Sequence, residues 1–317
     1  MILLLVAAIL FSIRVGSVSV SYTDIFNALT SDVGGTAGII RDIRIPRILM
    51  AVIVGANLAV SGVLLQGVMR NPMADPGITG ISSGASVVVM VVMLYFPGAA
   101  ASMPVFGFIG GILACLLIYS LAWKQGLSAV RIVLAGVAVN SILGGVTSMI
   151  SILNSENLSS VLTWLNGELG KKGWNQVSAL SIYSIIGLIL AFLVYRCCDL
   201  LALGDKNTKS LGYNPNILRI VISAIAVFLA GISTAYVGVI GFIGLVVPHM
   251  SRMIMGSEHK YLIPFSALLG SIVLLLADTI GRTVIAPYEI PVGVIMTVCG
   301  GPFFLYLLRK DSKGYGD

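Results

Sequence analysis

The chain has 317 residues, of which 57% are hydrophobic and only 10% are charged, and its mean hydropathy is +1.02. Soluble globular domains carry about 25% charged residues, so this composition excludes that class and indicates an integral membrane protein. The net charge of +6 does not indicate nucleic-acid binding, because lysine and arginine at the edges of membrane spans account for it.

Apolar runs close to the length of a membrane crossing, about 20 residues for a helix, recur along the whole chain. The first run meets Arg14 early, so it is either a short span or a cleaved signal peptide, and the lack of a basic segment before it favours a span. Residues 16–28 then predict a short helix at the membrane interface. We predict an all-α fold with about ten transmembrane helices, over residues 2–20, 48–68, 78–96, 105–123, 132–153, 177–197, 217–236, 239–254, 262–280 and 292–308.

Small residues recur at helical spacing within several of these runs. Gly55, Ala59 and Gly62 give the second helix small faces, and the third and fourth contain Gly80-x-x-x-Gly84 and Gly107-x-x-x-Gly111. Lipid gives helices no hydrophobic gain from association, so close backbone approach at small residues is a usual form of packing in membranes. We therefore predict that these faces are helix contacts.

The polar intervals predict turns and short helices. Asn71-Pro72 and Asp75-Pro76-Gly77 end the second helix, because a proline disfavours helix in the residue before it. Residues 154–176 predict an outer loop with a short amphipathic helix, in which Trp164 and Trp174 lie at the membrane interface.

The distribution of basic residues predicts that both termini lie in the cytoplasm. With the N-terminus inside, twelve of the 19 lysines and arginines fall on the cytoplasmic side and seven fall outside. The outer residues are Arg14, Arg41, Arg44, Arg47, Lys171, Lys172 and Arg282. Four of them surround the first outer loop, where a docking surface for an acidic partner would explain the departure from the positive-inside rule.

Residues 200–219 form the most charged cytoplasmic interval. Gly204 breaks the preceding helix, Asp205 can cap a new one, and Gly212 can end it in the left-handed conformation. Asn214-Pro215 then supplies a cap and a first-turn proline. We predict two short helices that meet near Gly212, and the alternative is an ordinary solvated loop.

Polar side chains also occur within the fifth apolar run, at Asn140, Ser141 and Thr147. They either line a water-filled path or form hydrogen bonds across helices and back to carbonyls of their own helix. Both interpretations are open at this stage.

The sequence gives little support for a metal site or for a disulfide bond. None of the 4 cysteines forms a C-x-x-C pair, and Cys115 and Cys299 fall inside apolar runs, where cysteine acts as a small hydrophobe. His249 and His259 have no cluster of cysteines and carboxylates near them in sequence, so we expect no metal site.

Three stretches carry a family resemblance. Residues 44–80 contain R-x-P-R, G-A-x-L-A-x-S-G-x-x-x-Q and R-N-P-x-A-x-P-G-x-x-G, and residues 203–212 read L-G-x-x-x-x-x-x-L-G. Residues 241–304 contain G-F-I-G-L-V-V-P-H-M-S-R, A-D-x-x-x-R, E-I-P-V-G and G-G-P-F-F. Together they closely resemble the membrane subunits of type II ABC importers, the BtuC-like or FecCD family, which take up ferric siderophores, haem or cobalamin.

The resemblance implies one permease domain over residues 1–317 and a role for three groups of residues. A coupling segment that contacts the ATPase would comprise Leu203, Gly204, Asp205, Lys209, Ser210, Leu211 and Gly212. A surface that pairs with glutamates of an extracytoplasmic binding protein would comprise Arg44, Arg47 and Arg282. A cytoplasmic gate would comprise Asn71, Met73, Ser128 and Ala129, although Ala129 departs from the small hydroxyl residues that are common there.

Partners and cargo follow from the same resemblance. The chain has no G-x-x-x-x-G-K-[ST] phosphate loop, so ATP and Mg would bind to two separate P-loop ATPase subunits, and we expect neither enzyme activity nor a cofactor in this chain. The other implied partners are a second permease subunit, most simply an identical one, and the binding protein, at the bacterial inner membrane. Family members usually carry basic residues upstream, so we expect a trimmed or mis-assigned N-terminus.

Ferric siderophore is the expected cargo because it is the commonest one in the family, and haem and cobalamin are the alternatives. An ion-coupled secondary transporter would need ionisable residues deep in the bilayer, and the centres of the predicted helices have essentially none. A serine hydrolase could use Ser83 and His249, but nothing in the sequence orients that histidine.

Overall fold

The computed structural model describes residues 1–16, 38–124, 126–155, 158–170 and 172–311, and their regular structure is entirely helical. A π-helical turn at Ile39–Arg44 precedes α2, and 3-10 turns at Pro76–Thr79 and Pro97–Ser102 precede α3 and α4. Apart from Gly16, the predicted interfacial helix at 16–28 lies outside the described residues. The helices are α1 (Ile2–Arg14), α2 (Ile45–Met69), α3 (Ile81–Tyr95), α4 (Met103–Ala122), α5 (Ala129–Leu153), α6 (Leu158–Leu165), α7 (Trp174–Leu193), α8 (Tyr195–Ala202), α9 (Asp205–Ser210), α10 (Pro215–Val237), α11 (Ile243–Met255), α12 (His259–Gly281) and α13 (Val292–Asp311).

The structure is that of a multi-pass membrane protein. Within the described residues, 6 helical segments are long and apolar enough to cross a membrane: α2 with the turn before it, α4, α5, α7, α10 and α12. Four further helices, α1, α3, α11 and α13, have apolar segments of 10–17 residues. The all-helical fold class is confirmed, and the count of ten crossings stays a prediction.

Several helix bounds differ from those predicted for the N-terminal half. The first helix ends at Arg14, well before residue 20. The second begins before residue 48, because helical geometry runs from Ile39 through Pro46. A proline in the first turn of a helix lacks only an N–H group that would have no partner within the helix, so Pro46 does not delay the start.

Breaks also shorten or divide three later helices. The third begins at Ile81, after Gly80 adopts φ +80°, and the eighth predicted crossing begins at Ile243 because residues 238–242 are not helical. The predicted sixth crossing, 177–197, divides at Val194 into α7 and α8.

The second helix is the most buried element of the bundle. In its most apolar stretch 83% of the residues are buried, and it packs against α7, α10, α11 and α12. A Cβ on Gly55 would lie 2.3 Å from the carbonyl oxygen of Gly270 in α12, and one on Gly62 would lie 2.0 Å from that of Gly244 in α11. The predicted small face is therefore confirmed as a site of direct backbone contact.

Helices α3 and α4 also contact each other through the bare backbones of glycines. A Cβ on Gly84 of α3 would lie 2.3 Å from the carbonyl oxygen of Gly110 in α4. One on Gly111 would lie 2.9 Å from that of Ile81. The small residues predicted as contacts in these two helices thus bring their backbones together, as expected where lipid supplies no hydrophobic drive for association.

Polar side chains hold α2 to its neighbours at mid-length. Asn57 is fully buried and donates hydrogen bonds to the hydroxyl oxygens of Ser184 in α7, at 2.7 Å, and Ser233 in α10, at 3.1 Å. Ser61 donates to the carbonyl oxygen of Ala226 at 2.7 Å. Such interhelical bonds satisfy polar groups that have no water partner within a bilayer.

The fifth helix is the least covered span. Only 17% of its most apolar stretch is buried, and Leu134, Ile142 and Ile152 are 64%, 66% and 77% exposed. It contacts α3 and α4 along one side. One apolar face of α5 is therefore left for lipid or for another protein chain.

The loop that the sequence predicts on the outer side contains the predicted short helix, α6, but this helix packs against the bundle. Trp164 was predicted at the membrane interface and is instead only 3% exposed, packed with Ala85 and Val89. The bare backbone of Gly238 makes room for this segment, since a Cβ there would lie 1.8 Å from the carbonyl oxygen of Trp164. Trp174 remains 42% exposed.

The glycine contacts of α2 predict a sharp difference between two Gly→Ala variants. Gly62→Ala should lower the thermal unfolding temperature, because forcing extra volume into a packed core costs about 1–3 kcal/mol. Gly144→Ala, also within a helix but with nothing within 4 Å of the new Cβ, should be neutral or slightly stabilising. Thermal unfolding of the detergent-purified protein measures both, and equal effects would contradict the packing described.

Candidate functional site

A buried ionic cluster joins the start of α2 to the end of α12. The Arg47 Nε donates to both carboxylate oxygens of Asp278, at 3.1 and 3.0 Å, and Nη2 donates to Oδ1 at 3.0 Å. Arg47 Nη1 donates to Glu289 Oε2 at 2.7 Å. Arg47 and Asp278 are 7% and 2% exposed, whereas the Glu289 side chain is 47% exposed. We call Arg44, Arg47, Asp278, Arg282 and Glu289 the outer cluster.

The two other arginines of the outer cluster hold the end of α1. Arg44 is 4% exposed and its Nη1 donates to the carbonyl oxygen of Ile13 at 2.6 Å. Arg282 is also 4% exposed, and its Nη2 donates to the backbone carbonyl and hydroxyl oxygens of Ser12. Burial lowers the pKa of Arg282 to about 10, so it stays charged at neutral pH.

These contacts differ from the arginine surface that the family resemblance implies. Arg44, Arg47 and Arg282 are all buried within the chain. A buried charge is tolerated when hydrogen bonds and counter-charges compensate its desolvation, and the contacts described above supply them. Asp278 and Arg282 stand four positions apart in the chain, but their contact is loose, with Nε and Oδ2 3.8 Å apart. A role for the three arginines in docking a binding protein stays a prediction.

The helices of the coupling segment begin and end close to the predicted residues. Helix α8 ends at Ala202, Gly204 adopts φ +92°, and α9 runs from Asp205 to Ser210 before Gly212 adopts φ +84°. The Asn214 side chain then accepts a hydrogen bond from the N–H of Asn216 at 3.0 Å, which caps α10.

Two details of this segment differ from the prediction. Asp205 does not cap α9: Gly204 holds the cap position, and the Asp205 carboxylate accepts hydrogen bonds from Arg219 Nη2 at 2.6 Å and Nη1 at 3.0 Å. Arg70 lies 3.1 Å from the same carboxylate. The second helix is not short, since α10 continues for 23 residues. The hydrogen bonds from Arg219 hold the pKa of Asp205 below its ordinary value.

The coupling segment presents an uncovered mixed surface. Leu203 is 53% exposed, Leu211 is 56% exposed and Tyr213 is 50% exposed. Lys209, Ser210 and Gly212 are exposed beside them. Large apolar side chains next to polar ones on a short surface helix are typical of a protein interface.

The predicted gate residues lie in two loops. The Asn71 side-chain oxygen accepts a hydrogen bond from the N–H of Met73 at 2.9 Å, and Met73 is 46% exposed. Ser128 is the cap residue of α5 and Ala129 is its first residue. A cavity of about 300 Å³ adjoins the first loop, and Arg70, Asn71, Arg252 and His259 are among the residues that line it. Gating by these loops stays a prediction.

The predicted pathway residues all form hydrogen bonds to backbone carbonyls. Ser141 donates to Val137 at 2.8 Å and Thr147 donates to Leu143 at 3.0 Å, each within α5. Asn140 donates to Gly77 at 3.0 Å, across to the turn before α3. The structure thus shows the second of the two interpretations that the sequence left open, and lining of a water path stays a prediction.

One partly buried pair, His259 and Asp199, had no signal in the sequence. His259 Nδ1 lies 2.6 Å from Asp199 Oδ1, and the His259 N–H also donates to that oxygen at 3.2 Å. These bonds tie the start of α12 to α8. Across the part of the chain that the structure describes, no group of three or more His, Cys, Asp or Glu residues could hold a metal ion.

The sequence profile of the FecCD transport family matches residues 4–310, nearly the whole chain. The chain belongs to the FecCD transport family. A relative 42% identical over 275 residues, covering 87% of this chain and 82% of its own length, is the Fe(3+)-citrate import system permease protein YfmD of Bacillus subtilis. The hemin transport system permease protein HmuU of Yersinia pestis is 39% identical, covering 99% of this chain and 95% of its own length.

Two solved structures share the fold of this chain. An inward-facing conformation of a metal-chelate type ABC transporter superposes with a TM-score of 0.86 at 28% identity, over 98% of this chain and 97% of that chain. PsaBC from Streptococcus pneumoniae, at a TM-score of 0.61 and 16% identity over 90% and 94%, shares the fold. The FecCD chain is therefore an ABC transporter permease with membrane-spanning helices.

The outer cluster predicts non-additive stability effects in this FecCD chain. Arg47→Leu or Asp278→Leu alone leaves an uncompensated buried charge and should destabilise by about 3–5 kcal/mol, whereas the double variant should cost less than either single change. Unfolding in detergent measures all three, with Lys206→Gln as an exposed control. Single variants that match the control would show that the buried pair does not stabilise the fold.

Proposed function

We propose that the chain is the permease subunit of an ATP-driven importer that moves an iron chelate across the bacterial cytoplasmic membrane. The family match over residues 4–310 supports this function most strongly, because it includes the outer cluster, both gate loops and the coupling segment. Relatives named for Fe(3+)-citrate and hemin transport support an iron chelate as the cargo class. A ferric siderophore is our first choice within that class and haem is the alternative within it, whereas cobalamin, a cobalt complex, is an alternative outside it.

The orientation follows from the ends of α2. This helix has 25 residues, or about 37 Å, with Arg47 of the outer cluster in its first turn and Arg70 of the Asp205 contact just beyond its last. The outer cluster and the coupling segment therefore lie at opposite ends of a membrane-length helix. We place the coupling segment and both termini in the cytoplasm, in agreement with the charge bias.

Energy would come from partner subunits. The exposed Leu203, Leu211 and Tyr213 would contact a groove of a P-loop ATPase, which would bind ATP and Mg. Two such ATPases and a second copy of this permease would complete the membrane complex. The exposed face of α5 would lie beside the central path, with Asn140, Ser141 and Thr147 along the helix that lines it.

The extracytoplasmic binding protein would dock on the outer cluster. Among the cluster's contacts, the Arg47–Glu289 pair is the one that reaches solvent, since Glu289 is 47% exposed. A glutamate of the binding protein would compete with Glu289 for Arg47. Substitution of Arg44 or Arg282 is a poor test of docking, because both are buried and hold α1.

Glu289→Gln should therefore strengthen docking. Removing the competing charge frees Arg47 for a carboxylate of the binding protein, and the gain should be largest at low salt, where charge pairing is least screened. Surface plasmon resonance with the cognate binding protein measures the affinity, with Glu258→Gln, at the other end of α12, as the control. An affinity unchanged across salt concentrations would argue against docking through Arg47.

Composition of the purified complex tests the proposed function. The tagged chain is extracted from its native membrane in mild detergent. Native mass spectrometry should then show a complex of two permease chains and two P-loop ATPases. A co-purifying binding protein with its chelate would identify the cargo. A chain that purifies alone and supports transport without ATP would overturn the proposal in favour of an ion-coupled secondary transporter.

A further inference from the structure

The Asp205 carboxylate lies between two arginines that belong to different parts of the fold. Arg219, in α10, donates through Nη2 at 2.6 Å and through Nη1 at 3.0 Å, a paired geometry that fixes orientation as well as distance. Arg70, at the end of α2, approaches to 3.1 Å. The Arg219 side chain is only 3% exposed, whereas those of Asp205 and Arg70 are 43% and 44% exposed.

One arginine adjoins the first predicted gate loop in the chain, and the other contacts the second through a hydrogen bond. Arg70 immediately precedes Asn71 and adopts φ +46°, a left-handed conformation that is uncommon for a residue with a side chain. Arg219 Nη1 also donates to the carbonyl oxygen of Leu127 at 3.3 Å, and Leu127 immediately precedes Ser128. One carboxylate at the start of α9 is thus one contact away from both loops.

The local backbone makes room for this arrangement. A Cβ on Gly204 would lie 3.2 Å from Arg70 Nη1, tighter than an ordinary contact, so a glycine there lets the guanidinium pass close to the chain. Gly204 also adopts φ +92°, which turns the chain so that α9 begins at Asp205. The same glycine therefore sets both the start of the coupling helix and the approach of Arg70.

We propose that Asp205 is the positioning residue that transmits movement of the coupling segment to both gate loops at once. The inference rests on the proposed function, in which an ATPase displaces α9, and it adds the route that the displacement takes. When α9 moves, the Asp205 carboxylate carries Arg70 and Arg219 with it, and these shift the loops at 71–73 and 127–129. A residue that merely stabilised α9 would not couple the two loops to ATP hydrolysis.

Transport per ATP hydrolysed is the deciding quantity. In proteoliposomes holding the complete transporter with both ATPase subunits, Asp205→Asn should lower transport per ATP hydrolysed by about fivefold or more, a typical strength of coupling between sites. Asp205→Glu keeps the charge and should recover most of the transport. Glu258→Gln, an exposed acid at the same end of the bundle, should behave as wild type.

The state of the gate gives a second readout. In a background without the native cysteines, Met73→Cys should change its rate of labelling by a membrane-impermeant maleimide when ATP is added, and Asp205→Asn should abolish that change. Arg70→Gln should lower transport per ATP in the same direction as Asp205→Asn. Because Arg70 is 44% exposed, it serves as the test if Asp205→Asn does not assemble.

The possible failures are distinguishable. If the wild-type complex hydrolyses no ATP or transports without it, the proposed function is wrong. If the wild type couples normally and Asp205→Asn or Arg70→Gln keeps the wild-type transport per ATP and labelling change, the proposed function stands and the role of Asp205 is overturned.

Discussion

Close contact between backbones at α2 is the constraint on which the rest of the bundle depends. Gly55 and Gly62 allow α12 and α11 to approach so closely that a methyl group at either position would overlap a carbonyl oxygen. In a bilayer, burying apolar side chains against other apolar side chains gains little over lipid, so backbone contact and interhelical hydrogen bonds must hold the helices together. The bonds of Asn57 to α7 and α10 complete this arrangement around the same helix.

The two ends of α2 carry the polar machinery that this packing positions. At one end Arg47 is held by Asp278 and Glu289, and at the other Arg70 meets Asp205. Because α2 is mostly buried and packs against α10 and α12, these contacts position its two ends within the bundle. The loops and short helices attached to those ends are more exposed, which is where movement is expected in a protein that alternates between conformations.

Local rules predicted much of this fold from the sequence, because they depend only on neighbouring residues. The apolar runs gave the helices, the glycine spacing gave the contacts of α2, and Gly204, Gly212 and Asn214-Pro215 gave the bounds of the coupling segment. The same rules could not predict contacts between residues that are distant in the chain. Arg47 pairs with Asp278 across 231 positions, so the arginines that the resemblance implies for a docking surface lie in a buried cluster.

Competition between partners explains the remaining differences. Asp205 can cap a helix, but its carboxylate instead accepts two paired hydrogen bonds from Arg219 and lies beside Arg70, because an ion pair of this paired geometry has charge on both partners. Trp164 is buried and does not lie at the membrane interface, because the bare backbone of Gly238 lets this segment pack closely. No local sequence pattern reveals that contact. The family motifs matched the positions of these residues along the chain, but their contacts required the assembled bundle.

Uptake of a radioactive ⁵⁵Fe(III) chelate into proteoliposomes tests the central claim most directly. The vesicles should contain this chain, its ATPase and the binding protein, with ATP enclosed on the side of the coupling segment. The account predicts uptake that requires hydrolysable ATP and the binding protein, and that continues when ionophores collapse the ion gradients. Uptake that persists with a non-hydrolysable analogue and disappears with the ionophores would contradict it.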